Sequence, residues 1–249
     1  MSYPCYERTH VMKKIGVMTD IHNNAVALEA VLNVFDAAQC EEIRCCGDIV
    51  GIGPFPQQTV DKVMCMPGLI AVSGNHDRYL SEGIPEQEQM DAEEIAYHQW
   101  EREKLSKPAK DFITALPARI DLEIEAVTIT VLHYPMNNRN EYYPLTGHLQ
   151  ANDFSRLLGG INSSITLFGH DHRQISYETG RKKYLNCGPL GCPSATRNIA
   201  RGGILTVDNE HAAMECIAVP YDFQKVIDEI DKINYPCADS IKHIFYGIK

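Results

Sequence analysis

No apolar run in the chain approaches the roughly 20 residues that span a bilayer; the longest are short and broken, as at Ile15 to Met18. A membrane span is therefore not expected. The first ten residues, MSYPCYERTH, lack the apolar core of a secretory signal, so a cytoplasmic location is expected. There is no Cys-x-x-Cys pair, and the nine cysteines are odd in number and scattered. That pattern reads as buried thiols in a reducing compartment rather than as a disulfide framework. Positive charge is also scarce. Lys and Arg number 23 against 33 Asp and Glu, for a net charge of −10. Duplex binding depends on basic side chains that displace counterions, so a nucleic-acid partner is disfavoured. The acidity is uneven: between Glu82 and Glu103 stand eight acids and one base.

What is present suits a globular fold. With 249 residues, 44% apolar and 22% charged, and no excess of glycine or proline, the chain can bury a core without staples. Its length fits one large domain or two small ones. Residues 1–12 show no periodicity and read as an N-terminal tail, leaving 13–249 as a single domain. From Lys14 short strand-like runs alternate with helical patterns, the mark of βαβ units. KKIGVMT is followed by Asn24, a helix-capping candidate, and by Leu28, Val31, Leu32 and Phe35 at helical spacing. EEIRCC and GLIAVS make further strands, and in the first the adjacent Cys45 and Cys46 should face opposite sides. Residues 79–118 are charged and strand-free, with two helices around EEIAYHQWEREKL and PAKDFITAL, and read as a helical insertion or lid. RIDLEIE and VTITVLH look like a hairpin. A helix near 152–158, the strand SSITLF, strands near 174–178, 182–186, 203–207 and 213–218, and a helix around 223–233 complete the pattern.

Half of the ten histidines, His22, His76, His133, His170 and His172, fall at the ends of these strands, with Asp20, Asp48, Asn75 and Asp77 beside them. Ligands of open α/β sheets bind at that end of the strands. In Asp20-Ile21-His22 and His170-Asp171-His172 the outer residues are two apart, so in extended backbone both point to one side and can converge on one ion. Imidazole with carboxylate suits divalent metals such as Mn, Fe, Zn or Ni.

Asp-x-His, Gly-Asp, Gly-Asn-His-Asp, a strand-end His and Gly-His-x-His, in that order, resemble the signature of the calcineurin-like metallophosphoesterases. The likeness runs from about Lys14 through roughly nine-tenths of the chain. Asp-Ile-His-Asn-Asn and the stretch Tyr-Leu-Asn-Cys-Gly-Pro-Leu-Gly-Cys-Pro at 184–193 resemble the small bacterial and archaeal phosphodiesterase branch, where the latter is usually Asn-Pro-Gly-Ser. The resemblance implies an α/β fold, a four-layer α/β/β/α sandwich of the metallophosphoesterase type. It implies two divalent or trivalent transition-metal ions, manganese foremost among Mn, Fe, Zn and Ni. Asp20, His22 and His172 would hold the first ion and Asn75, His133 and His170 the second, with Asp48 bridging. A shared hydroxide would attack the phosphorus of a small phosphodiester. His76 would protonate the leaving oxygen, its ring oriented by Asp77. The ions would outweigh the two carboxylates and the hydroxide by about one positive charge, drawing a phosphate into an acidic protein.

Two departures from the family pattern stand out. Tyr134 and Pro135 follow His133 where glycine is common, so Tyr134 either crowds the pocket or contacts substrate; Cys187 and Pro189 alter the Asn-Pro-Gly-Ser block. Other residues carry two readings. Asn23 either is structural or touches phosphate. Arg78 either binds phosphate bidentately or makes a surface ion pair. Tyr142, Tyr143 and Arg139 either stack on a nucleobase or form a solvent loop. His10, His98, His148, His211 and His243 read as ordinary, with His98 pairing to Glu94 one helical turn away. The partner is a small phosphorylated molecule, a nucleotide among the candidates. Competing functions are a phosphomonoesterase, a dinucleoside polyphosphate hydrolase, a nuclease, and a non-catalytic metal-binding scaffold.

Overall fold

The computed structural model describes residues 12–248, apart from 87, 89, 146–150 and 193–195. The expected tail, save Met12, therefore lies outside the described residues, as do His10, His148 and the end of the 184–193 stretch.

Strand β1 (Lys13–Met18) leads into a loop whose Asn24 caps α1 (Ala25–Ala37), its carboxamide oxygen accepting the Ala27 N–H at 3.0 Å. Parallel to β1 runs β2 (Glu42–Cys45); α2 (Pro56–Met64) and the short β3 (Leu69–Ala71) follow. Three helices come next: α3 (Asn75–Glu82), α4 (Ala92–Lys104) and α5 (Lys107–Thr114). The hairpin β4 (Arg119–Ile124) and β5 (Val127–Leu132), helix α6 (Ala151–Leu158), β6 (Ile165–Leu167), β7 (Gln174–Thr179) and β8 (Lys182–Cys187) build the second half. Two ten-residue strands, β9 (Ile199–Asp208) and β10 (His211–Pro220), then return to the first, before α7 (Phe223–Lys232) and α8 (Ala238–Ile244).

The strands form two five-stranded sheets, ordered β10-β9-β1-β2-β3 and β4-β5-β6-β8-β7. Ile15, Val17, Leu205 and Val207 of the first meet Ile129, Val131, Ile165 and Leu185 of the second in one buried cluster, so the sheets pack face to face. Helices α1, α2, α4, α5 and α7 cover the outside of the first sheet through Leu28, Val60, Tyr97, Ala109 and Val226. On the second sheet α6 packs Phe154 and Leu158 on Phe168 and Tyr184. The result is the expected four-layer sandwich. Cys45 joins the outer core and Cys46 the inter-sheet core, so the pair does face opposite sides.

Two helices go beyond the sequence reading. Helix α2 has only Val60 and Val63 as buried aliphatic positions in its nine residues, too few to show a period, and α3 is mostly polar. The Gly-Asn-His-Asp block is thus a helix start. Gly74 is its N-cap, and the Asp77 carboxylate accepts the Gly74 N–H at 2.9 Å.

Candidate metal centre

The loops that leave β1, β2, β3, β5 and β6 meet at one end of the two sheets. Asp20 and His22 come from the first, Asp48 from the second, Asn75 from the third, His133 from the fourth, and His170 with His172 from the fifth. These loops are stitched by backbone hydrogen bonds: Asp20 N–H to Gly47 at 3.0 Å, His22 N–H to Asp48 at 3.0 Å, and Gly191 N–H to Asp20 at 2.9 Å. The stitching holds strained backbone. Asp20, His22, Asp48, His170 and His172 all have positive φ, between 47° and 69°. Non-glycine residues rarely adopt that region, at a cost of about 1–3 kcal/mol each. The extended geometry expected for the two i, i+2 pairs is therefore wrong; the strands stop at Met18 and Leu167, and left-handed turns aim the side chains instead.

The donors fall into two groups that meet on Asp48. In the first, His22 Nε2 lies 3.1 Å from His172 Nε2, and Asp20 Oδ1 lies 3.4 Å from His172 Nε2. In the second, Asn75 Oδ1 lies 3.1 Å from His133 Nε2 and 2.9 Å from His170 Nδ1. Between them, Asp48 Oδ2 is 3.7 Å from His22 Nε2 and 3.3 Å from His133 Nε2. The other carboxylate oxygen of Asp48 accepts the His76 N–H at 2.9 Å. Gly74 permits this contact, since a Cβ there would collide with the Asp48 carboxylate.

The donor set fits metal ions. His133 Nδ1–H donates to the Cys46 carbonyl at 2.7 Å and His22 Nδ1–H to that of Val50 at 3.2 Å, which leaves both Nε2 lone pairs facing the centre. Burial alone would push the Asp20 carboxyl up, yet His172 beside it holds it down at about 2. Burial would likewise lower His133, but the neighbouring Asp48 lifts it to about 9. His170, buried and next to His133, is pushed down to about 4. Carboxylates that gather protonated imidazoles around them are groups a divalent cation can take over, releasing the protons.

His76 stands beside both groups, its ring edge-on to that of His22 with centroids 5.0 Å apart. The Tyr97 hydroxyl lies 2.9 Å from its Nδ1. The ring is seated over Gly51, whose φ of 92° suits glycine and where a Cβ would come 2.5 Å from Nδ1. Asp77 does not orient the ring as expected. Its buried carboxylate accepts the N–H groups of Ile49 at 3.0 Å, Val50 at 3.1 Å and Gly74, fixing the loop after Asp48. Burial and the nearby Asp48 push its carboxyl up to about 6.

The lower-ranked contacts divide. Asn23 is fully buried and donates its amide to Glu101, which also accepts the Gly51 N–H at 2.6 Å; it is part of the loop scaffold. Tyr134 is 2% exposed and packs with Phe154 and Phe168 behind His170, so it neither crowds nor lines the cavities. Arg78 makes the ion pair with Glu82 at 2.8 Å and also donates to the Asn140 carbonyl, while bordering a cavity of about 330 Å³ with Tyr79 and Tyr142. Tyr142 is more than a solvent loop: its ring stacks on His170, 5.7 Å between centroids, and its hydroxyl donates to Ser73. His98 does not pair with Glu94. It is buried, near-parallel to His76 at 5.6 Å, with Glu101 Oε2 3.9 Å from its Nδ1. Sequence reasoning missed Tyr97 and Glu101 as site supports; a tyrosine and a glutamate on a charged helix carry no pattern that marks them. A second cavity, about 270 Å³, borders His76, Tyr79, Tyr97, His98 and helix α8.

A two-sheet sandwich that gathers buried imidazoles and carboxylates at its strand ends defines a metal-dependent hydrolase class. The chain belongs to the calcineurin-like phosphoesterase superfamily, whose domain model matches residues 12–210, and is a metal-dependent phosphoesterase. It is 27% identical over 239 residues to an uncharacterized protein of Methanocaldococcus jannaschii, covering 91% of this chain and 95% of that one. Its fold is similar to a hypothetical protein from Pyrococcus horikoshii (TM-score 0.81, 18% identity, 95% of this chain and 99% of the other). It is also similar to a metallophosphoesterase from Sphaerobacter thermophilus (TM-score 0.76, 21% identity, 95% and 99%). Among the described residues no helix is long and apolar enough to cross a membrane.

Proposed function

We propose that the protein is a dinuclear-metal phosphodiesterase acting on a small substrate. The observation that carries this reading is the meeting of two donor groups on one oxygen of Asp48, 3.7 Å from His22 Nε2 and 3.3 Å from His133 Nε2. Two bound ions would make a water nucleophilic and neutralise charge on the phosphoryl group. The chain's own residues do the rest. His76, with Nδ1 held by Tyr97, presents Nε2 to the leaving oxygen as proton donor. Asp77 keeps the loop after Asp48 in place, and so holds the bridging carboxylate in position.

The cavities support a diester. Both are small and share Asn75 and Tyr79 in their linings, and in this reading each takes one ester substituent. Their walls carry Glu82, Glu88 and Glu141 in one and Glu88, Asp91, Glu93 and Glu94 in the other. Further phosphates on a substrate would meet these carboxylates, which weighs against dinucleoside polyphosphates and nucleic acid. The 79–118 segment is in this reading a flank that selects small substrates.

The test is a substrate panel: a bis-aryl phosphate, an aryl monophosphate, a cyclic nucleotide and a dinucleoside tetraphosphate, with Mn, Fe, Ni or Zn supplied. The diesters should turn over fastest, and His76→Ala should lower their kcat by about 10²–10⁴-fold. A faster monoester or tetraphosphate would replace the diester reading. No hydrolysis with any metal would leave the scaffold reading, and wild-type rates in His76→Ala would remove the proton-donor role.

A further inference from the structure

The two cavities stand differently to the proton donor. Asn75 and Tyr79 border both, but His76 borders only the second, of about 270 Å³. Tyr142, whose ring stacks on that of His170, borders only the first, of about 330 Å³. A diester has two ester oxygens, and in one displacement the proton from His76 goes to the one that leaves. The departing alcohol therefore belongs in the second cavity, beside His76. The alcohol that stays on phosphorus is left with the first, beside Tyr142.

The walls of the two cavities differ in kind. Helix α8 and its end close the second cavity with Ile241, Ile244 and Phe245, and Ile52 and Met90 extend this apolar wall. Among the described residues that border the first cavity, Pro85 and Pro144 are the only aliphatic side chains. Its larger surfaces are flat: the rings of Tyr79 and Tyr142, and the guanidinium of Arg78. Arg78 is tied to the Glu82 carboxylate at 2.8 Å and the Asn140 carbonyl at 2.8 Å, with its centre 5.7 Å from that of the Tyr142 ring. It is a fixed wall and not a free phosphate hook. Carboxylates border both cavities and do not discriminate between them. Aliphatic walls favour an alkyl group, whereas tyrosine rings beside a guanidinium favour a flat, polar group such as a nucleobase.

We propose that the enzyme breaks one particular ester bond of a mixed diester: an apolar alcohol leaves through the second cavity, and the phosphate stays on a planar, polar alcohol of the nucleoside kind seated in the first. The proposal rests on the phosphodiesterase reading and on His76 as its proton donor. In the step, a water oxygen bonds to phosphorus and the bond from phosphorus to the apolar alcohol's oxygen breaks. That oxygen takes the His76 proton, and the proton lost by the water leaves to solvent. The products are a nucleoside monophosphate and a free alcohol.

The test is hydrolysis of the n-butyl ester of thymidine 5′-phosphate by full-length protein, with initial products separated by liquid chromatography and a bis-aryl phosphate as control. Both alcohols of this ester are primary and of similar acidity, so the cavities decide which one leaves. Thymidine 5′-phosphate with butanol should exceed thymidine with butyl phosphate by at least about tenfold. Equal or reversed product amounts would overturn the proposal. Ile244→Trp fills the second cavity from a position that is 58% exposed, where the fold tolerates the larger ring. Its kcat/KM for the butyl ester relative to the methyl ester of the same nucleotide should fall about tenfold. An unchanged ratio would overturn the placement of the leaving alcohol. A protein that hydrolyses the bis-aryl phosphate but not the butyl ester would overturn this proposal and leave the diester reading standing, whereas hydrolysis of neither diester would remove that reading and this proposal with it.

Discussion

The ligand loops and helix α4 reach the same site by different physics. The loops carry the donors themselves, in left-handed backbone at five of the seven positions, stitched by short backbone hydrogen bonds. Helix α4 carries no donor. It offers Tyr97 to His76, and Glu101 to the Asn23 amide and the Gly51 N–H. In the proposed centre one region would hold the metal, and the other the shape of what holds and serves it. Substitutions should therefore abolish function in the loops and tune it in the helix.

The largest effect belongs to Asp48. Asp48→Ala removes the one oxygen that faces both donor groups, and turnover should fall by at least about a thousandfold, equivalent to about 4 kcal/mol of transition-state stabilisation. Native mass spectrometry of the variant should show the loss of paired ions. Two tightly held ions in Asp48→Ala would disprove the bridge and blur the contrast between the regions.

Tyr97→Phe probes the helix with a smaller change. The substitution keeps the ring packed against His98 and Tyr235 but removes the hydroxyl that lies 2.9 Å from His76 Nδ1 and accepts the Ile52 N–H at 3.3 Å. Of the two hydrogen bonds lost, the one to His76 bears on turnover and is worth about 1 kcal/mol, so kcat should drop about five- to tenfold. KM should change less than kcat, because the hydroxyl is engaged by His76 Nδ1 even though Tyr97 borders the second cavity. A change confined to KM would mean that Tyr97 acts through the cavity it borders and not through His76.

The same contrast explains what the sequence revealed. Asp20, His22, Asp48, Asn75, His133, His170 and His172 stood out with His76 and Asp77 as local blocks at strand ends, and the resemblance singled out these seven as the ligands proposed here. The α/β class was legible from alternating strand and helix patterns, and the four-layer sandwich from the resemblance. Helix α3 was not, since its first residues serve as motif and helix start together. The true partner of His76 was also hidden. Asp77 follows it in sequence, but the helix turns that carboxylate onto the Ile49, Val50 and Gly74 N–H groups, and a tyrosine twenty-one residues away takes the role. Asn23 took the structural of its two readings, while Tyr134 took neither of its own: adjacency in sequence to a ligand candidate does not fix which way a side chain faces. The acidic 82–103 stretch shows both outcomes, lining the cavities with Glu88, Asp91, Glu93 and Glu94 while burying Glu101 completely.

Glu101 gives the smallest effect on turnover and the most specific test of the helix. Burial pushes its carboxyl up from an ordinary value of 4.5 to about 7, although the hydrogen bonds from Gly51 and Asn23 pull the other way. Below about pH 4.5 the group is protonated in both the folded and the unfolded chain. As pH rises towards about 7 the unfolded chain ionises first, so the stability that the protonated carboxyl supports is lost across that window, amounting to about 3 kcal/mol above it. Glu101→Gln keeps an oxygen to accept the Gly51 N–H and cannot ionise. Denaturant unfolding of metal-free protein at about pH 5 and about pH 8 should show wild type losing more stability than the variant, by up to this amount. Parallel losses in the two proteins would mean that Glu101 ionises as freely when folded as when unfolded. In that case the helix would contribute packing alone, and only Tyr97 would distinguish it from the rest of the outer layer.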